Sequence, residues 1–541
     1  MSKENGPWWE SAVVYQIYPR SFADTSGSGV GDLRGVIGRM EHLAWLGIDA
    51  IWLSPFYRSP MHDHGYDISD YCDVDPSFGT LADFDALVAS AHDHGIRVIL
   101  DWVAAHTSTD HAWFQEARRS REDAKRDWYV WRDPVPGPDG TPQPPNNWVS
   151  DLTDGGPAWT FDETTGQSYL HSFLPEQADL NWENPEVAEA MHDVLRFWLN
   201  RGVDGFRSDV INNIAKDPEL ADVAPASAKL PHVLLNDVPE VHPLLRGIRN
   251  VLDAAPPIPL ANRPDDRGGR MMVGEVMLLS TEQVSRYFGN DDELHLSFNF
   301  APLFAPWTAD VWRSCIEKTE SLLAPIDAWP TWVLSNHDGP RHRTRNWKGD
   351  GPASEARARA AAVMLLTLRG TPFLYMGEEL GLEDAVVPPE QQVDPGGYRD
   401  GCRAPLPWDG NAGHGWAGAE PWLLFPPDAD TRNAESLRAD PGSILHLYRR
   451  LLELRRETPA LQRGELALLE APEGVLAYRR SLGDDSRVVL VNFTSDPISI
   501  SATGELGGVV RNLQVELTSD SDDSSTHSKR LLRADQAVIL R

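Results

Sequence analysis

The sequence predicts an α/β protein: a (β/α)8 TIM barrel with an inserted subdomain after its third strand and a C-terminal antiparallel β-sandwich domain. Three observations carry this. Eight short apolar segments alternate with amphipathic helical stretches. A long stretch rich in Pro, Gly, Trp and Asn separates the third segment from the fourth. Near the C-terminus the hydrophobic pattern changes to period two.

The elements follow in order. VVYQIYPRSF (13–22) is the first strand, HLAWLG closes a helix, and IDAIWLSPF (48–56) is the second strand. FDALVASAHDHG (84–95) has helical spacing and stops at Gly95, a C-cap signal. IRVILDWVAAH (96–106) is a continuous apolar run, as a strand buried on both faces should be. VDGFRSDV (203–210), MMVGEV (271–276), LHLSFNF (294–300), PTWVLSNHD (330–338) and PFLYMGEE (372–379) complete the eight. Helices at 187–202 and 354–370 fit between them, and a last one, 443–461, closes the barrel. The barrel is thus expected over 1–106 and 181–462, with a loop-rich excursion at 381–440 and the insertion at 107–180. Residues 463–541 form the separate β domain, in which the SDSDDSSTHSK run (519–529) reads as a solvated loop.

Composition narrows the function. There are 49 Lys+Arg against 81 Asp+Glu in 541 residues, a net charge of −32. Such a surface repels phosphate backbones and anionic lipid, so neither nucleic acid nor a membrane is an expected partner. Cys72, Cys315 and Cys402 are few and far apart, which argues against a disulfide framework and a zinc cluster. The start lacks a basic segment followed by an apolar one, and no run of 18 apolar residues occurs, so a cytoplasmic location is expected. Monomer and homodimer stay equally open. The 20 Trp suit either flat platforms for sugar rings or a large core.

In a barrel enzyme the chemistry lies where strands end at their C-terminal face. There the third strand offers His106, the fourth Arg207 and Asp209, the fifth Glu275, and the seventh Asn336-His337-Asp338. The loop after the second strand holds Asp63, Tyr66 and Asp67. Arg207 and Asp209 are two apart on a strand and face one side, where the arginine would hold the aspartate ionised, as a nucleophilic carboxylate requires. A second carboxyl in a drier place can stay protonated and act as an acid. Retaining glycosidases use such a pair at about 5–5.5 Å. The bland alternative is a barrel-end salt-bridge network, but charges buried at three strand ends are costly without a function.

GVDGFRSD, VGEV, SNHD and GYDISDYCDVDPSFGT resemble the α-amylase family of glycoside hydrolases, in its α-glucosidase and oligo-1,6-glucosidase branch. YQIYPRSF, GVGDLRG, DWYVWRDP, QADLNWENP, YMGEELGL and CRAPLPW extend the resemblance over nearly the whole chain. It implies Asp209 as nucleophile, Glu275 as general acid/base and Asp338 as stabiliser of the oxocarbenium-like transition state. His106, Arg207 and His337 would hold the same glucosyl ring, Tyr66 would stack under it and Phe173 would line the pocket. Asp63 and Arg403 would close the far end, making the enzyme exo-acting. Val210, next to the nucleophile, resembles the oligo-1,6-glucosidases and tilts linkage preference without fixing it.

Two motifs depart from the family pattern. Ala105 stands where an Asn usually precedes His106 and helps bind a structural calcium in amylases. The first loop retains Asp24, Asp32 and the Val30 carbonyl, but has Ser26 and Ser28 at two oxygen-rich ligand positions, so a structural Ca2+ or Mg2+ there would meet less charge. No cofactor is otherwise required. The expected function is an exo-acting retaining α-glucosidase on short neutral α-glucosides, α-1,4 and/or α-1,6, with transglucosylation. The alternative is a dedicated α-glucosyltransferase or a sucrose/trehalose-type isomerase on the same scaffold.

Overall fold

A computed structural model describes residues 6–261, 268–278, 280–347, 351–418, 420–501, 505–520 and 530–541. All eight barrel strands form within or beside their apolar segments, each shorter than the segment. They are β1 (Val14–Ile17), β2 (Ala50–Leu53), β3 (Arg97–Val103), β4 (Gly205–Asp209), β5 (Met271–Gly274), β6 (Leu296–Ser297), β7 (Thr331–Val333) and β8 (Thr371–Tyr375). They pair in parallel in the order β6-β5-β4-β3-β2-β1-β8-β7. The two ends of this sheet meet where the Thr331 hydroxyl donates to the Ser297 carbonyl at 2.8 Å.

Alternation along the strands separates two environments. Val14, Trp52, Ile99, Val273, Leu296, Val333 and Phe373 pack into one cluster inside the barrel. Val98, Leu100 and Trp102 point the other way into the main core under the helices. Two residues further along the inward register the apolar plug gives way to Gln16, Ser54, Asp101 and Arg207, all buried. A polar layer therefore lies at the C-terminal rim because the inward period-two positions turn polar there.

Helix ends follow local chemistry. Thr80 and Asp83 form a capping box on Leu81–Asp93, and Asn184 caps Pro185–Leu199, which opens on a proline. The expected last helix is broken in two, Ile444–Glu457 and Pro459–Arg463. Pro459 forces Thr458 out of the helical region, to φ −114° and ψ 100°.

The third strand also differs from expectation. β3 stops at Val103, and His106–Ser108 is a separate strand antiparallel to Gln177–Asp179. This pair ties together the two ends of the inserted stretch. Between them Trp131–Arg132, Gln167–Leu170 and Trp159–Asp162 form a small antiparallel sheet. Its core, Val130, Trp148, Ala158, Trp159 and Leu170, also takes in Leu220 from the loop after β4. Trp148 stacks on His232 of that loop at 3.5 Å. The two segments that rise above the barrel are thus packed against each other.

In the C-terminal part β9 (Glu465–Leu469), β10 (Val475–Leu482), β11 (Asp485–Asn492), β12 (Val515–Thr518) and β13 (Ala537–Leu540) form an antiparallel sheet in the order β9-β10-β11-β13-β12. One face, through Leu476, Tyr478, Val489 and Ile539, joins the main core. The other packs on a two-stranded ribbon, Ile498–Ser499 with Leu531–Leu532, and on the helix Glu505–Val510. The solvated loop expected at 519–529 lies, beyond Asp520, outside the described residues. Fifteen of the 20 Trp are buried, so most serve the core. Among the described residues no helix is long and apolar enough to cross a membrane.

Candidate active site

The polar rim is organised around Arg207 on β4. It is 1% exposed and donates to Asp101 at 2.8 Å, to Asp209 at 2.7 Å and to Glu275. Asp209 is the last residue of β4, and Glu275 follows β5 directly. Asp101 sits on β3 inside the run read as wholly apolar, and it also accepts from the Tyr66 hydroxyl at 3.0 Å and the Trp52 indole at 3.2 Å. One guanidinium thus serves three carboxylates.

This sharing alters the expected electrostatics. Burial raises Asp209, Arg207 pulls it down and Asp101 pushes it back, so the net shift is upward rather than towards a permanently ionised group. Glu275 is likewise raised by burial, against Arg207 and with help from Asp209 and Asp338. The two carboxyls bind the same Arg207 guanidinium and raise or lower one another's proton affinity. Like charges in one desolvated place cannot both ionise freely, so the pair keeps a proton near neutrality.

Val210 follows Asp209 in the left-handed region, at φ 34° and ψ 50°. A β-branched residue rarely takes this conformation, which costs about 1–3 kcal/mol. The turn aims the Val210 N–H at the Glu275 carboxylate, 3.3 Å away, while the Ile211 N–H donates to the Glu275 carbonyl at 2.9 Å. The strained turn therefore ties the two carboxylate-bearing strands together.

A second group surrounds His337. Burial is the main force that brings its imidazole down to about 3, so it is neutral at pH 7. Gln16 donates to Nδ1 at 2.7 Å, which leaves the proton on Nε2, beside the Tyr66 hydroxyl and 3.3 Å from Asp338. The Tyr66 ring stacks on the imidazole at 5.3 Å. His106, neutral through burial, lies 3.1 Å from the Tyr66 carbonyl and 5.5 Å, ring to ring, from Phe173.

At the far end Asp63 accepts from Arg399 at 2.7 Å and from Gln177 at 3.2 Å. The expected partner, Arg403, is instead fully buried one layer below. It donates to the His337 carbonyl at 2.8 Å and to Asp338 at 3.1 Å. The reason lies in the turn between them: Arg403 N–H bonds back to the Arg399 and Asp400 carbonyls, so the two guanidinia leave it at different depths. Burial raises Asp338, but His337, Arg403 and Arg399 outweigh it and hold this carboxyl below the usual range.

These groups face one narrow cavity of about 90 Å³. Of the residues expected there, Asp63, Tyr66, His106, Phe173, Asp209, Val210, Glu275 and Asp338 line it, while Arg207, His337 and Arg403 lie behind the wall. Asp151, Leu152, Gln177, Met277, Tyr398 and Arg399 were not expected. No Trp lines it.

A family model, the α-amylase catalytic domain, matches residues 16–464. The chain belongs to the α-amylase family. It is 43% identical over 523 residues to a probable α-glucosidase of Rhizobium meliloti (strain 1021), covering 92% of this chain and 91% of that one. It is 36% identical over 531 residues to the oligo-1,6-glucosidase of Parageobacillus thermoglucosidasius, covering 90% of each. The trehalose-6-phosphate hydrolase of Escherichia coli (strain K12) is 37% identical over 527 residues, covering 90% of this chain and 91% of the relative. The crystal structure of an α-glucosyl transfer enzyme, XgtA, superposes with a TM-score of 0.88 at 38% identity over 99% of both chains. The protein is therefore a glycoside hydrolase enzyme with a sugar substrate.

Family membership raises the question of a structural metal. Asp24, in the 24–32 loop, accepts from the N–H groups of Ser26, Gly27 and Gly29 at 2.8–2.9 Å. Asp32 caps the helix Leu33–Gly38 and accepts from Thr25. The Ser28 hydroxyl donates to the Val30 carbonyl at 3.2 Å and lies 3.0 Å from the Ser26 hydroxyl. Both carboxylates thus already accept N–H donors, which occupies part of their lone pairs and leaves a Ca2+ or Mg2+ in this loop unconfirmed. Among the described residues no group of three or more His, Cys, Asp or Glu is placed to hold a metal ion. Beside Ala105 the chain supplies its own positive charge: Lys216, from the loop after β4, lies 2.9 Å from the buried Asp179 and also bonds the Asn213 carbonyl.

Proposed function

We propose that this protein is an exo-acting, retaining α-glucosidase that releases glucose from the non-reducing end of short neutral α-glucosides. The observation that carries the reading is the narrow pocket with Asp209 and Glu275 on one shared Arg207 guanidinium at one end and the Asp63–Arg399 pair closing the other. A blind end accepts a chain terminus, not a chain interior. Two carboxyls on one guanidinium suit the close pair of a retaining enzyme better than the wider, water-separated pair of an inverting one.

In this reading Glu275 holds the pair's proton and gives it to the glycosidic oxygen. Asp209 attacks C1 as the C1–oxygen bond breaks, the aglycone leaves as an alcohol, and a β-glucosyl ester remains on Asp209. Arg207 takes up the charge that moves between the two carboxylates. The ionised Asp338 faces the positive charge that develops on the ring. Glu275, now a carboxylate, takes a proton from water, whose oxygen attacks C1. Asp209 leaves, and the product is again α. Neutral His106 adds no charge and is placed in the wall to hold a hydroxyl, while neutral His337, behind the wall, positions Tyr66 and Asp338. Proton NMR of the first product from an aryl α-glucoside tests this: α-glucose is expected, and β-glucose would overturn it.

A second reading is favoured by the similarity to an α-glucosyl transfer enzyme. A sugar or alcohol hydroxyl that takes the place of water in the last step gives transglucosylation by the same groups. Val210 and Met277 at the acceptor side support α-1,6 or α-1,4 linkage choice by shape. The ratio of free glucose to transfer product at high maltose or isomaltose concentration separates hydrolase from transferase.

A further inference from the structure

The wall of the pocket is unevenly charged. It contains five carboxylates, Asp63, Asp151, Asp209, Glu275 and Asp338, and a single cation, Arg399. That cation is already engaged: it bonds Asp63 at 2.7 Å and Asp394 at 2.6–2.7 Å and lies 3.6 Å from Asp338. Four of the five carboxylates have roles in the reading above. Asp151 has none. It comes from the inserted stretch and is half-buried where Asp63, Asp209 and Glu275 are buried, which puts it nearer the opening, with its backbone N–H fixed to the Ser172 carbonyl at 2.8 Å. Its carboxylate accepts from the adjacent Leu152 N–H at 2.9 Å, and among the described residues no side chain donates to it. It shares the mouth with Leu152, Met277 and the ring of Tyr398, which is 55% exposed.

We propose that Asp151 selects the aglycone by charge: the pocket mouth admits neutral or cationic leaving groups and acceptors and turns away anionic ones, a sugar phosphate included. This rests on the glucosidase reading and sharpens its substrate class. Overall similarity does not decide the point, since relatives named for neutral glucosides and for trehalose 6-phosphate match over nearly the same length. The mouth does decide it. A phosphate entering beside Asp151 meets a carboxylate with no side-chain donor of its own, and among the described residues the one cation in the lining, Arg399, whose charge also reaches Asp151, is already held by Asp63 and Asp394. Rejection by an unpaired like charge is an ordinary route to specificity. Leu152, Met277 and Tyr398 supply an apolar face that suits an aryl group or the flat side of a sugar.

The test uses three aryl α-glucosides that carry a neutral, a trimethylammonium and a phosphonate substituent, with wild type and Asp151→Asn. The ratio of kcat/KM between variant and wild type is taken for each substrate, so that leaving-group reactivity cancels. Asp151→Asn is expected to raise the anionic substrate relative to the neutral one by about tenfold and to lower the cationic one, as loss of one nearby charge at intermediate dielectric predicts. Both effects should shrink with added salt. Equal ratios for all three substrates, in a variant that melts like wild type, would overturn the proposal. Failure of wild type to cleave even the neutral α-glucoside would instead overturn the glucosidase reading beneath it.

Discussion

At the residue scale the site is governed by how few cations answer its carboxylates. Arg207 is divided among Asp101, Asp209 and Glu275, whereas Asp338 has Arg403 and Arg399 nearby. The consequence is opposite shifts: the pair that exchanges protons is raised, and the ionised stabiliser is lowered. In the retaining reading proposed above, activity needs Asp209 ionised and Glu275 protonated. Because burial raises both, the two limbs of the kcat/KM–pH profile should both lie above the positions of ordinary carboxylates, which puts the optimum near neutrality. Activity is lost as pH falls and the pair takes a second proton, and as pH rises and it loses its last one. A profile flat from pH 4 to 6 with no alkaline limb would contradict this. Asp101 was legible in principle, as one acid inside IRVILDWV, but the apolar run masked it. Arg399 and Arg403 could not be ranked from sequence, because only the turn that joins them sets their depth.

At the element scale the strands were readable because a barrel strand must be apolar on both faces, and that pattern survives in the sequence. The ends were less so. His106 looked like the tip of the third strand, yet it begins a new one, since its pairing partner Gln177–Asp179 lies some seventy residues on. Nothing periodic marks Asp151 or Leu152 within an irregular insertion. Besides strand pairing and apolar packing, the buried Lys216–Asp179 pair helps hold that insertion to the barrel, with Asn213 joining through the Ser172 hydroxyl. Lys216→Met leaves a buried carboxylate without its cation, at a cost of about 3–5 kcal/mol. It should lower the melting temperature and speed protease cleavage within 107–180. Unchanged melting and cleavage would show that the pair contributes little to this junction.

At the scale of the whole molecule one plan accounts for the parts. The barrel holds an apolar plug below and charges above, the inserted stretch and the loop after β4 interlock to form one wall, and the 381–440 loops bring Tyr398 and Arg399 to the other. The net charge of −32 is the excess of 81 acids over 49 basic residues, and a handful of those acids line the pocket. The remainder gives the chain its net negative charge, and by the proposal above Asp151 extends that sign into the pocket mouth. Everything in this account depends on Asp209 as the atom that bonds to the sugar. The most direct measurement is therefore to trap the intermediate with 5-fluoro-α-D-glucosyl fluoride and map the label by mass spectrometry of peptides. One fluoroglucosyl group on the peptide containing Asp209, and none in Asp209→Asn, is the predicted result. Turnover without a label, or a label on any other residue, would contradict it.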